Sequence, residues 1–214
     1  MQDVVIVCAG SYGREVYWCL QENNRIATER GLEKKYNILG FISDAPTDLE
    51  HYGIHSSVLG TVRDWTPGKR EKYALGLGKP SDKKKVGGLL KARGAEFINV
   101  ISDWVDIMPD VKLGEGCMIT TGSIIGCDVR IGDFVNINGS MLYSGAEIEN
   151  YSTTTGFTVV ERAVVHEGVY IGSKAVITEG TEVGSWSNIS VGSVVLDNVR
   201  PNVTVFGMPA REIG

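Results

Sequence analysis

The chain has 214 residues, 43% of them hydrophobic, and 21 basic against 26 acidic side chains give it a net charge of −5. That is enough apolar material for one large or two small domains, and the mixed, slightly acidic charge leaves no footprint for non-specific nucleic-acid binding. No apolar run reaches the roughly 18 residues of a membrane span, and Met1 leads straight into a strand-like segment, so no signal peptide or span is expected and the cytoplasm is the expected location.

Taken in order, Val4-Val5-Ile6-Val7 reads as a buried parallel strand, Cys8 to Gly13 as a turn, and Arg14 to Asn24 as a helix with apolar spacing through Val16 and Leu20. A strand over Tyr36 to Ile42 ends at Ser43-Asp44. Further strands are predicted at Ser57 to Leu59, Tyr73 to Leu77 and Ala95 to Val100, with a helix over Ser81 to Arg93. This describes an α/β, Rossmann-like domain over residues 1–100. Its first turn carries only part of a dinucleotide fingerprint: Gly10 and Gly13 are in place, but Cys8 stands where the first glycine belongs. A turn that merely packs helix on strand accounts for it about as well as a phosphate loop. Asp44 is placed to meet a ribose or a base edge, or to sit solvated in its loop. Lys83, Lys84 and Lys85 are expected on a solvated helix face, with a phosphate contact as the functional alternative.

From residue 101 to 214 the period changes to six. Leu113-Gly114, Ile119-Thr120, Ile125-Gly126, Ile131-Gly132 and Ile137-Asn138 hold one phase, and Ile171-Gly172, Ile177-Thr178, Val183-Gly184, Ile189-Ser190 and Val195 hold another. One aliphatic per six residues followed by a small residue is the pattern of a parallel β-helix, whereas a sandwich would show turn signals every 8 to 12 residues or so. Ile124, Val135, Val164 and Val194 are expected on its flat outer faces. The four cysteines, Cys8, Cys19, Cys117 and Cys127, show no metal-type pairing and read as free, buried thiols, with no metal site expected.

Together the segments VIVCAGSYGREV (Val5 to Val16), LGFISD (Leu39 to Asp44), SVLGT (Ser57 to Thr61), GLGKPSDKKKV (Gly76 to Val86), the hexapeptide coils and VFGMPAREI (Val205 to Ile213) resemble one family. It is that of the bacterial sugar acyltransferases, which includes sialic acid O-acetyltransferases and N-acetyltransferases of nucleotide-linked 4-amino sugars. The resemblance covers nearly the whole chain. It implies a left-handed β-helix, a homotrimer, and acyl transfer to an amino or hydroxyl group of a sugar in surface polysaccharide or glycan biosynthesis. It also implies acetyl-CoA along the coils, with close approach at Gly172, Ser190 and Gly192 and the adenine end near Pro209, Ala210 and Arg211. The acceptor nucleotide-sugar would use Gly10, Ser11, Tyr12 and Gly13, with Asp44, Gly78 and Lys79 nearby.

In that family the base is a histidine followed by an acidic residue, and here the histidine is missing. Counting back from Ile148 and forward to Ile171 puts its place on Ser144, followed by Gly145. A register one coil earlier puts it on Cys127, followed by Asp128. The Ser144 register is preferred because it needs a one-residue deletion rather than an extra coil; the family's glycine beside the acetyl carbonyl then becomes Glu161. A serine hydroxyl holds no proton near neutral pH, so the expected base is His166, Glu161 or Asp128, with Ser144 orienting the acceptor. His51 and His55 are expected in a solvated loop, or against the sugar-nucleotide. An amine acceptor tolerates loss of a base better than a hydroxyl, which favours N-acylation. A homologue that kept the fold and lost the chemistry is the alternative. A nicotinamide enzyme is disfavoured by the broken glycine motif.

Overall fold

The computed structural model describes residues 1–45 and 49–213. The N-terminal unit comprises β1 (Gln2–Val7), α1 (Ser11–Glu29), β2 (Tyr36–Ile42), β3 (Val58–Gly60), β4 (Lys72–Leu75), α2 (Pro80–Ala92) and β5 (Glu96–Phe97). The strands form one parallel sheet in the order β3-β2-β1-β4-β5. Central β1 is covered on both faces, and Val4 to Val7 are wholly buried, which is why this strand reads as a continuous apolar run. Helix α1 is longer than predicted and buries Val16, Tyr17, Leu20, Ile26 and Ala27 as one stripe. Helix α2 starts at Pro80, whose missing N–H suits a first turn. The strand predicted over Ala95 to Val100 is two elements: β5 closes the α/β sheet, and Val100–Ile101 pairs with Met118–Ile119 in the β-helix.

The remainder is a left-handed parallel β-helix of two-residue strands. In each strand the second residue points in, so that Ile119, Ile125, Ile131, Ile137, Ile171, Ile177, Val183, Ile189 and Val195 form one core. The strands stack into three faces: a first of eight strands, a second of six and a third of five. The first corner joins the first face to the second, the second corner joins the second to the third, and the third corner returns to the first. The change of phase comes from two shortened corners, at Ser140 and at Ala163, rather than one. Pairing therefore steps by one residue fewer at Ile124↔Met141 and again at Glu147↔Val164.

The outward residues give each face a different character. On the first face Met118, Asn136 and Thr153 are buried under the N-terminal unit. Asn136 Nδ2 donates to the Leu77 carbonyl at 2.9 Å, and Asn23 Nδ2 donates to that of Ile101 at 2.7 Å. The third face carries Lys112, Arg130, Glu147 and Glu182. The second face is apolar, with Ile124, Met141, Val159, Val176 and Val194 partly or fully exposed. Val135, expected on an outer face, is buried in the core because it ends the third corner and points inward.

The lysine run is only partly solvated: Lys84 and Lys85 are exposed as expected, and Lys83 is not. Lys83 is completely buried, its ammonium donating to the Ser152 carbonyl at 3.0 Å and to Thr153 Oγ1 at 2.8 Å. Lys84 pairs with Glu167 and lies over the Trp186 ring. These contacts seat α2 on the third corner, where Phe97 of β5 also meets Phe134 edge-to-face at 4.9 Å.

Candidate functional site

Three regions stand out as candidate sites, two of which hold expected site residues. The first is the carboxyl edge of the parallel sheet, where ligands of open α/β sheets bind. Cys8 adopts φ 71 there, so the turn keeps a glycine-like backbone although the glycine is gone. Gly13 has a packing reason of its own, since a Cβ on it would lie 1.9 Å from the Cys8 carbonyl oxygen. Gly10 is exposed and caps α1 without a side-chain acceptor, and the first turn holds no acidic residue. The helix therefore offers its first N–H groups and its positive end to an anion. The Tyr12 ring fills the space a Cβ on Gly78 would need, and its hydroxyl accepts from Asn138 Nδ2 at 3.2 Å. Burial pushes that phenol up to about 12. Asp44 is partly committed, its carboxylate accepting the Arg63 N–H at 3.1 Å. Lys79 is exposed at the start of α2.

The second region is a cavity of about 730 Å³ between α1 and the first corner. Glu15, Trp18, Cys19 and Glu22 line it from the helix, and Ser102, Thr120, Thr121, Asn138 and Phe157 are among the residues lining it from the coils. Two large aromatics stand open at it: Trp18 is 51% exposed and Phe157 is 77% exposed. Phe157 also sits at φ 62, at a corner position where glycine stands in three other coils, as Gly122, Gly139 and Gly192. The left-handed backbone is shared by Lys174 at the same position of the next coil, so what sets Phe157 apart is its exposed aromatic ring. Burial pushes the Cys19 thiol up to about 11, and Asn138 Oδ1 is buried without a hydrogen bond among the described residues. The sequence reading missed this cavity. Trp18 lies off the buried stripe of α1, and the hexad phase places Phe157 at a small-residue corner; both were legible signals.

The third region is the second corner, where the rival registers prove to be neighbours. Ile125 pairs with Leu142, so Cys127 and Ser144 stack in successive coils, and the Gly145 N–H donates to the Cys127 carbonyl at 3.0 Å. Gly126 must be small, because a Cβ would lie 2.7 Å from the Ser144 nitrogen. Asp128 takes the left-handed corner position at φ 59. Glu161 is in the next coil, and its carboxylate accepts the Glu179 N–H at 2.9 Å. Tyr143, Ser144, Glu161, Arg162 and Glu179 surround an open space of about 440 Å³.

His166 does not join them. It lies on the third corner, its Nδ1 3.1 Å from Glu149 and its Nε2 3.5 Å from Glu182. Burial alone would lower its pKa, but the two carboxylates outweigh that and leave it raised. The expected coenzyme residues also divide. Gly172, Ser190 and Gly192 share the first corner, with Gly172 filled against the Val191 nitrogen at 2.6 Å and Gly192 open. Pro209, Ala210 and Arg211 belong to the closing hairpin, where Arg211 reaches Asp197 on the second corner at 3.4 Å. No group of three or more His, Cys, Asp or Glu able to hold a metal occurs among the described residues, and no described helix is long and apolar enough to cross a membrane.

No protein-family profile matches the chain. Serine acetyltransferase of Salmonella typhimurium is 39% identical over 117 residues, covering 53% of this chain and 40% of that protein. The Escherichia coli K12 enzyme is 38% identical over 113 residues, covering 51% and 38%. The chain matches about two fifths of the length of these relatives. Two solved structures share the fold over the whole chain. GDP-perosamine N-acetyltransferase of Caulobacter crescentus, in complex with CoA and GDP-perosamine, has a TM-score of 0.86 at 20% identity, covering 100% of this chain and 98% of that one. The acetyltransferase domain of PglB from Neisseria gonorrhoeae has a TM-score of 0.83 at 16% identity, covering 100% of both.

Proposed function

We propose that the protein transfers an acyl group from acetyl-CoA to the amine of a nucleotide-linked amino sugar, as a step in glycan biosynthesis, and works as a homotrimer. The observation that carries this reading is a pairing. A β-helix related in sequence to acetyltransferases is joined to an α/β unit whose first helix presents an uncapped N-terminus, and the two enclose one aromatic cavity. The nucleotide's phosphates suit the helix end at Gly10 and Ser11, with Tyr12, Gly13, Asp44, Gly78 and Lys79 around them. The sugar ring suits Trp18 and Phe157, and its polar groups suit Thr120, Thr121 and Asn138.

The trimer completes the site. With the apolar second faces turned to a threefold axis, the first corner and α1 of one chain lie beside the second corner of the next. Cys127, Asp128, Ser144, Gly145 and Glu161 of one chain then flank the cavity of its neighbour. Coenzyme would run in the groove between the two corners, past Ser190 and Gly192, with Arg211 available to a phosphate. A second reading, a protein that binds both ligands without turnover, has its own observation: the second corner carries no histidine, and Glu161 already serves a backbone N–H. Titration calorimetry with acetyl-CoA and light scattering test the proposal together. A trimer that binds acetyl-CoA, and loses both properties on Ile124→Glu, is expected; a monomer that still binds overturns the shared-site arrangement.

A further inference from the structure

Two carboxylates line the cavity, and their surroundings drive them apart. Glu22 is committed: Arg25 bonds it through two nitrogens and Trp104 Nε1 donates to it at 3.4 Å. Its carboxyl is held down at about 2, chiefly by the bond to Arg25. Glu15, about two helical turns earlier on the same wall, is exposed and makes no hydrogen bond or ion pair among the described residues. Partial desolvation against the helix raises its carboxyl above the ordinary value, and the neighbouring Arg14 only partly offsets this. The Arg14 guanidinium is drawn away over the Tyr52 ring, 3.7 Å from its centroid. Of the other titratable groups nearby, the Tyr12 phenol and Cys19 thiol are both neutral at neutral pH, and Asp103 is paired with Lys35. From the coils, Ser102, Thr120, Thr121 and Asn138 bring no charge. An exposed, unpartnered carboxylate on the same cavity wall as a second one locked in an ion pair is the arrangement that separates a working base from a structural acid.

We propose that Glu15 is the general base of the acyl transfer, supplied by the α/β unit in place of the histidine absent from the second corner. This rests on the acyltransferase reading above. The acceptor enters as an ammonium, and Glu15 takes one proton from it, later released to water. The freed lone pair forms the C–N bond to the thioester carbonyl carbon and the C–S bond breaks. The remaining excess proton on nitrogen passes to the departing thiolate, leaving an amide and a free thiol. Glu15 thereby makes the amine nucleophilic below the pH at which it would ionise unaided.

The test compares wild type with Glu15→Gln and Glu15→Ala, using acetyl-CoA with UDP-, GDP- and dTDP-linked 4-amino sugars. Glu15→Gln is expected to lower kcat/KM by about 100-fold or more while acetyl-CoA affinity and thermal unfolding stay unchanged. Its pH profile should lose the Glu15 limb and rise only with the acceptor's own ionisation, and formate should restore part of the rate to Glu15→Ala. A purely structural role would move neither the profile nor the rescue. Wild-type turnover matched within about threefold by Glu15→Gln overturns the assignment and leaves the acyltransferase reading standing. Absence of wild-type turnover with every acceptor overturns the acyltransferase reading, and the role of Glu15 falls with it.

Discussion

Replacing Lys83 with methionine probes the joint between α2 and the β-helix. The ammonium is wholly buried and donates two hydrogen bonds, worth about 1 kcal/mol each. Neither acceptor is orphaned by its loss, because the Ser152 carbonyl still receives the Asn136 N–H and Thr153 Oγ1 still donates to the Gly78 carbonyl. Methionine keeps most of the apolar stem, so the direct loss is about 2 kcal/mol. Against this stands protonation. Burial holds the Lys83 amine well below 10.5. A depressed folded pKa gives stability that is full above 10.5 and lost as pH falls toward the folded value, at about 1.4 kcal/mol per pH unit. Methionine has no such dependence. The advantage of lysine over methionine should therefore shrink as pH falls below 10.5. Urea unfolding at fixed protein concentration across this range measures the difference. A gap of about 2 kcal/mol in favour of lysine that does not change with pH would refute the argument.

His166→Gln should lower stability by less than about 1 kcal/mol below pH 6 and leave it unchanged above pH 9, as read by thermal unfolding. The sign follows from a raised folded pKa, whose contribution is complete below 6.5 and disappears as pH rises through the folded value. Gly126→Ala drives a Cβ into the Ser144 backbone and should cost about 1–3 kcal/mol in urea unfolding. Gly88→Ala, in α2 with open space around it, should instead stabilise by about 0.5–1 kcal/mol. Phe157→Gly releases about 1–2 kcal/mol of left-handed strain, so stability should hold or rise while acceptor affinity by calorimetry falls.

The hexad phase made the β-helix legible residue by residue, because a buried aliphatic must recur wherever a coil turns inward. Register was harder. Two one-residue shortenings bracket the stretch where Leu142, Ile148, Thr154 and Val160 carry the column, and Thr154 is a polar member whose hydroxyl donates to Ser140 Oγ at 2.9 Å. Spacing alone left the histidine's place open between Cys127 and Ser144, one coil apart, and strand pairing shows that the two stack. Lys83 was misread for a similar reason: its burial depends on contacts with Ser152 and Thr153, far along the chain. The cavity was illegible as a whole, since it exists only where α1 meets the first corner. Glu15 carries no local signal and becomes distinctive only beside the ion-paired Glu22.

The most direct test of acyl transfer is to mix the protein with acetyl-CoA and nucleotide-linked 4-amino sugars, following free thiol and product mass together. The account predicts thiol release that requires the acceptor and a product heavier by one acetyl group. Tight binding of both ligands with no acceptor-dependent thiol and no change in sugar mass would contradict it.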